Sequence, residues 1–274
     1  MSPPIERVVV PLDAASENRT AIDTAAWLAA RNEAPLHGIF VEDQDLLRLA
    51  ELPFVRQLTL GAGAEPFTAE EIGLHLQVEA ERARRYIHAA AKRHGVEVSF
   101  EIVRGGSETV LSAVTERDLV VAGGLTRPIA GHFRVECRWW SSIASARAPF
   151  LLARDAWDAA GAVVILLRER SPSSVRLIEA SALAAEAREG VLTVICPPAV
   201  ADATGFETWI AERLTAHRVR VQIEEAPVEF AALGRRIGEL NCRLLAIDAS
   251  IIESDTERLR DFVERFSFDI LFVR

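Results

Sequence analysis

A chain of 274 residues, half of them hydrophobic and 26% charged, is long enough for two domains that each bury a core. A net charge of -9 without any Lys/Arg block argues against nucleic acid and anionic membrane as partners, and the longest aliphatic run, Ala162 to Leu167, is too short to span a bilayer. Three scattered cysteines (Cys137, Cys196, Cys242), no CxxC pair and no secretory signal pattern after Met1 set the expectation of a cytoplasmic protein with reduced thiols.

Arg7 to Leu12 is a continuous β-branched run, the pattern of a strand covered on both faces. Ser16 and Asn18 offer helix N-caps, and Ile22, Ala25, Ala26, Leu28 and Ala29 recur at helical spacing over Thr20 to Asn32. Leu36 to Val41 reads as a second strand. Leu46, Leu47, Leu49, Leu52, Val55 and Leu58 then predict a helix over Asp43 to Leu58 with a break at Pro53, and Gly61-Ala62-Gly63-Ala64 a flexible joint. Thr68 and Glu71 form a capping box for a long helix reaching His94. Val96 to Val103 is a third strand, Gly105-Gly106 a turn, Glu108 to Val114 a short helix and Leu119 to Ala122 a fourth strand. After Gly123-Gly124 a loop is expected to Trp140, then a helix near Ser142 to Ala146 and a fifth strand, Pro149 to Arg154.

Residues 155 to 161 read as a linker, and the pattern then repeats. Strands are expected at Ala162 to Leu167, Val191 to Cys196, Val219 to Glu224, Leu244 to Asp248 and Asp269 to Val273. Helices are expected at Val175 to Arg188, Gly205 to His217, Pro227 to Leu240 and Asp255 to Arg265. Both halves end on an apolar strand closed by arginine, Phe150 to Arg154 and Ile270 to Arg274, which indicates an internal duplication. The expected organisation is two tandem α/β domains, 1–154 and 162–274, each a mostly parallel five-stranded sheet flanked by helices with right-handed crossovers. The copies align as Val8-Val9-Val10-Pro11-Leu12-Asp13 against Val163-Val164-Ile165-Leu166-Leu167-Arg168. Asp13 and Arg168 differ at a strand's carboxyl end, where an open α/β sheet places its ligand.

Val8 to Asp13, Phe40-Val41-Glu42 and Asp118 to Gly124, in this order and spacing, resemble the universal stress protein family. The resemblance covers nearly the whole chain as a tandem pair and is better in the first half. It implies the adenine-nucleotide α-hydrolase fold. In nucleotide-binding members an Asp after the first strand and a Val ending the second hold the adenosine, which implies Asp13 and Val41 here. The phosphates lie on a Gly-x-x-Gly followed at a fixed interval by Gly-Ser or Gly-Thr. Such glycines let backbone N–H groups approach phosphate oxygens. The implied contacts are Gly123, Gly124, Ser141 and Ser142, and the implied ligand is ATP or another adenine nucleotide.

The sequence departs from that motif. Thr126 stands where the second glycine belongs, and Glu136 and Cys137 where the Gly-Ser pair belongs; Ser141-Ser142 lies a few residues on, without a glycine. A Cβ at a position needing positive φ costs about 1–2 kcal/mol, and a carboxylate repels phosphate. The first phosphate cradle is therefore degraded. The second copy has Arg168 for the Asp, Asp248 for the first glycine and no Gly-rich segment after it, so it is expected to bind no nucleotide in the family's manner.

Arg127, Arg134 and Arg138 stand in this loop with His132. They read either as guanidinium replacements for glycine amides at an anion site or as a solvated loop paired with surplus carboxylates. Trp139-Trp140 reads as a ligand-stacking or subunit contact, or as a satellite core. Asp13 alone also reads as a turn residue, and the Asp43 to Leu58 stripe as a lid, a partner helix or ordinary packing. The histidines (His37, His75, His88, His94, His132, His217) show no metal-ligand spacing, and the His132, Glu136, Cys137 cluster lacks a setting that activates a thiol. No catalytic residue and no metal site is expected.

The leading expectation is a non-enzymatic, cytoplasmic stress-response factor acting through a protein partner or small ligand, with at most a modified adenine-nucleotide site in the first domain. Two alternatives stand beside it: an ATP-binding sensor with slow or no hydrolysis, and a regulatory interaction module without ligand. In this family the last strand of each unit often mediates pairing, so the resemblance implies an internal pseudo-dimer through Phe150 to Arg154 and Ile270 to Arg274, with pairing of whole chains left open.

Overall fold

The computed structural model describes residues 5–13, 19–44, 48, 56–59, 63–66, 69–123, 126–129, 133–136, 143–144, 146–154, 161–186, 190–226 and 230–274. The chain divides into two compact units, Ile5–Ser142 and Ile143–Arg274.

The N-terminal unit runs β1 (Arg7–Leu12), α1 (Arg19–Arg31), β2 (Leu36–Asp43), β3 (Arg56–Thr59), β4 (Gly63–Pro66), α2 (Ala69–His94), β5 (Val98–Gly105), α3 (Ser107–Ser112), β6 (Asp118–Ala122), β7 (Thr126–Ile129) and β8 (Phe133–Glu136). Its sheet has the order β6-β1-β2-β5, with every neighbouring pair parallel. The β-branched run does what it predicts: Val8, Val9 and Val10 are fully buried at the sheet centre. The helical stripe of α1 buries Ala21, Ile22, Ala25, Ala26, Leu28 and Ala29, and α1 packs on both β1 and α2. Its small alanines let the helix lie close to the sheet. Gly38 serves the same end on β2. A Cβ there would meet Ile87 Cδ1 of α2 at 2.7 Å and Phe100 of β5 at 3.0 Å, so a side chain at this position would force those two to shift. At the opposite end of the strands from the site, the Arg7 guanidinium donates to both Asp118 oxygens, Nε to Oδ1 at 3.1 Å and Nη2 to Oδ2 at 2.9 Å. Thr115 N–H adds a third bond to Oδ2 at 2.8 Å. Burial alone would raise the Asp118 pKa, but the bonds from Arg7 and Thr115 outweigh it and hold this carboxyl below the usual carboxylate range.

The C-terminal unit runs β9 (Phe150–Leu152), β10 (Ala162–Leu166), α4 (Pro172–Glu186), β11 (Val191–Cys196), α5 (Pro198–Ala201), α6 (Phe206–Leu214), β12 (Arg220–Glu225), α7 (Phe230–Glu239), β13 (Cys242–Asp248), α8 (Ser250–Arg265) and β14 (Asp269–Val273). Its order is β12-β11-β10-β13-β14-β9, parallel except for β9, which runs antiparallel to β14. Phe150 pairs with Phe272, Leu151 with Leu271 and Leu152 with Ile270, so the strands that end the two repeats meet each other. Arg154 follows β9 with its side chain donating to the Val263 carbonyl and, at 2.6 Å, to the Phe266 carbonyl. It thereby caps the exposed carbonyls at the end of α8. Its own N–H donates to Asp269 at 2.8 Å. Both units are α/β, each with a mostly parallel sheet and flanking helices.

Four expectations need correction. Arg56, Gln57 and Leu58, read as helix, form β3, and Gly63 and Ala64 lie in its antiparallel partner β4 rather than in a joint. Leucines three and four apart mimic a helical stripe, whereas a four-residue strand has too few alternations to announce itself. The loop expected before Trp140 contains the antiparallel ribbon β7–β8. Helix α8 begins at Ser250, five positions ahead of its expected start at Asp255, and the four-residue α5 had no expectation at all.

Candidate ligand site at the strand ends

In each unit the strand order reverses beside the first strand of the repeat. The chain leaves β1 towards β2 and β5 on one side and returns to β6 on the other. A crevice at the carboxyl ends of the strands, at such a switch point, is where open α/β sheets bind ligands. Three of the residues named from sequence come to that place. Leu12 is level with Phe40, so Asp13 and Val41 each lie one residue beyond that pair. Val9 is level with Val120, and Gly123 directly follows the end of β6. Asp13 is half-buried, while Val41 and Gly123 are buried. Beside Val41, the Glu42 carboxylate is engaged by Arg104 Nε at 2.8 Å, so it adds little uncompensated negative charge at this edge.

Pro11 shapes the crevice. Val8 N–H donates to the Pro35 carbonyl at 3.0 Å, on the β2 side. Strand N–H groups alternate sides, so position 11 faces β6, where proline has no hydrogen to give. The β1–β2 register accordingly continues to Leu12, whereas the β1–β6 register stops at Val9–Val120. Beyond Val9 and Val120, β1 and β6 are therefore not paired with each other, on the approach to Asp13 and Gly123.

The C-terminal unit lacks this device. Leu166 occupies the position of Pro11, and β10 stays in register on both sides to its end, pairing Leu166 with Ile195 and with Ile247. Arg168, the counterpart of Asp13, is exposed, and Asp248 ends β13 half-buried. Arg170 straps the adjoining loop across the neighbouring segment. It donates to the Ala203 carbonyl at 2.8 Å and lies over the Phe206 and Trp209 rings, 5.2 and 5.7 Å from their centroids.

The phosphate segment differs from the family motif in structure as well as sequence. Thr126 and Glu136, at the positions of two motif glycines, are cross-strand partners in the β7–β8 ribbon. In that ribbon Arg127 pairs with Val135 and Arg134 with Pro128, so the two arginines are not opposite each other. Gly124, Arg138, Ser141 and Ser142 lie outside the described residues, as do His132, Cys137, Trp139 and Trp140. Cys196 and Cys242 are buried free thiols, and burial together with Glu225 pushes the Cys196 thiol up, away from reactivity. Among the described residues no group of His, Cys, Asp and Glu is arranged to hold a metal ion, and no helix is long and apolar enough to cross a membrane.

Two tandemly repeated, mostly parallel α/β sheets whose strand order reverses beside the first strand define an open, doubly wound α/β class, and the solved structures narrow it. The chain superposes on a universal stress protein from Archaeoglobus fulgidus with a TM-score of 0.67 at 11% identity, covering 97% of this chain and 95% of that one. It superposes on a functionally unknown protein from Pseudomonas aeruginosa with a TM-score of 0.58 at 15% identity, over 98% and 92% of the two chains. The fold is thus that of universal stress proteins, along nearly the full length. No protein-family model matches the sequence, and no curated protein matches it.

Proposed function

We propose that the protein is a universal stress protein-like, non-enzymatic factor of the cytoplasm that takes an adenine nucleotide in its N-terminal unit and acts through a protein partner. The supporting observation is the register stop at Val9–Val120, which leaves the β1 and β6 ends unzipped beside Asp13 and Gly123 while β10 is zipped to its end. In this reading Asp13 accepts hydrogen bonds from ribose hydroxyls or the base, and Val41 packs against the nucleoside. The β7–β8 ribbon engages its backbone in cross-strand pairing, so the phosphates gain little from the segment that cradles them in nucleotide-binding relatives. Binding energy then resides in the nucleoside. ATP, ADP and AMP should bind within roughly threefold of one another, since each further phosphate finds no dedicated donors. Calorimetric titration of the purified protein with the three nucleotides tests this. A steep rise in affinity from AMP to ATP contradicts the assignment of energy, and absence of heat with all three at millimolar concentration contradicts the site.

The same ribbon favours a second reading, a regulatory module that binds a partner with no ligand. Nucleotide-independent partner capture by an Asp13→Ala variant would select it.

A further inference from the structure

In the C-terminal unit the crevice between β10 and β13 holds a contact that joins distant parts of the chain. Asp248 ends β13, and its Oδ2 accepts the Ser173 hydroxyl at 2.5 Å, from a residue 75 positions away in the first turn of α4. Its Oδ1 accepts Ser250 N–H at 2.8 Å. Ser171 caps α4 by accepting Ser174 N–H at 3.2 Å, and its hydroxyl lies 2.8 Å from that of Ser173. Ser174 in turn donates its hydroxyl proton to the Glu169 carbonyl at 2.7 Å. Two donors, the Ser173 hydroxyl and Ser250 N–H, thus converge on the Asp248 carboxylate, which lies against the N-terminal turn of a 15-residue helix, a setting that favours negative charge. Asp248 stands where the resemblance implies the first phosphate-loop glycine.

We propose that Asp248 is a built-in stand-in for a ligand phosphate: its carboxylate closes the C-terminal crevice by accepting the Ser173 hydroxyl in the first turn of α4, so that this unit excludes phosphate-bearing ligands. A carboxylate supplies the charge and acceptor oxygens that a phosphate brings to a helix N-terminus, and repels a second anion. The zipped β10–β13 register reinforces the closure. The inference rests on the strand-end crevice being the ligand position in this fold, and it is tested in the unit for which no ligand is proposed.

Hydrogen–deuterium exchange of the full chain reads the contact locally, with inorganic pyrophosphate as the probe. In Asp248→Asn the first turn of α4 and Ser250 should exchange roughly tenfold faster, the loss expected for charge-assisted bonds. Ser173→Ala should move the same amides in the same direction. In Asp248→Gly, or Asp248→Ser should the glycine variant not fold, pyrophosphate should restore slow exchange in that turn and leave the wild type unchanged. Wild-type exchange rates in Asp248→Asn, protection of the wild-type turn by pyrophosphate, or no protection in either opened variant would each overturn the proposal. Failure of the nucleotide reading would show instead as unchanged exchange around Asp13 with ATP, and would leave these rates untouched.

Discussion

The two units begin from one strand–turn–helix pattern and differ most at its carboxyl end. In the N-terminal unit Pro11 withholds a hydrogen bond from β6, and the crevice edge beside Asp13 stays unpaired. In the C-terminal unit Leu166 completes the ladder, Asp248 is tied to Ser173, and Arg170 straps the adjoining loop. The scaffold is equally well buried in both, with Val8 to Val10 and Val163 to Ile165 fully buried. Core burial thus does not distinguish the two units. The stop of the β1–β6 register and the Ser173–Asp248 bond distinguish them.

Five substitutions probe this difference. The largest effect belongs to Arg7→Ala, which strands the buried Asp118 carboxylate and should cost about 3 kcal/mol in the N-terminal unit. Urea unfolding followed by exchange of β5 and β11 peptides separates the units, and only the first should weaken. The same pair sets an acid sensitivity. Because the folded pKa of Asp118 lies below its unfolded value, its stabilisation is present in full above the ordinary carboxylate pKa near ~4 and is lost as pH falls further. Asp118→Asn should flatten the decline of N-terminal stability below about pH 4.

Arg154→Ala uncaps α8 and should cost about 2 kcal/mol, confined to the C-terminal unit. Ser171→Ala removes the cap of α4 and should cost about 1 kcal/mol there. Smallest in stability is Pro11→Leu. It restores an N–H towards β6 and should stabilise the N-terminal unit by about 0.5–1 kcal/mol while weakening nucleotide binding. If Pro11→Leu leaves binding intact, the register stop is not what opens the site.

The central strands were legible because runs such as Val8-Val9-Val10 and Val163-Val164-Ile165 admit one reading, burial on both sheet faces. Asp13 and Gly123 were legible because each directly follows a strand, β1 and β6, whereas Val41 lies two residues inside the end of β2. The ribbons β3–β4 and β7–β8 were not legible. Each strand has four residues, and Leu58 in the first continues the helical spacing of the leucines before it. The contact of Ser173 with Asp248 spans 75 positions and depends on the β10–β13 register, which no local pattern encodes. A signal for the open crevice did exist. Pro11 stands in a central strand where the second copy has Leu166, and proline is disfavoured there unless the ladder is meant to stop.

The account's central claim is that one crevice, in the N-terminal unit, takes the nucleotide. Calorimetric titration of ATP with magnesium into the wild type, Asp13→Ala and Arg168→Ala tests it most directly. The account predicts a single site in the wild type, weakened at least tenfold by Asp13→Ala, the loss of about one charge-assisted hydrogen bond, and unchanged by Arg168→Ala. Two sites in the wild type, or loss of binding on replacing Arg168 with Asp13 intact, would contradict it.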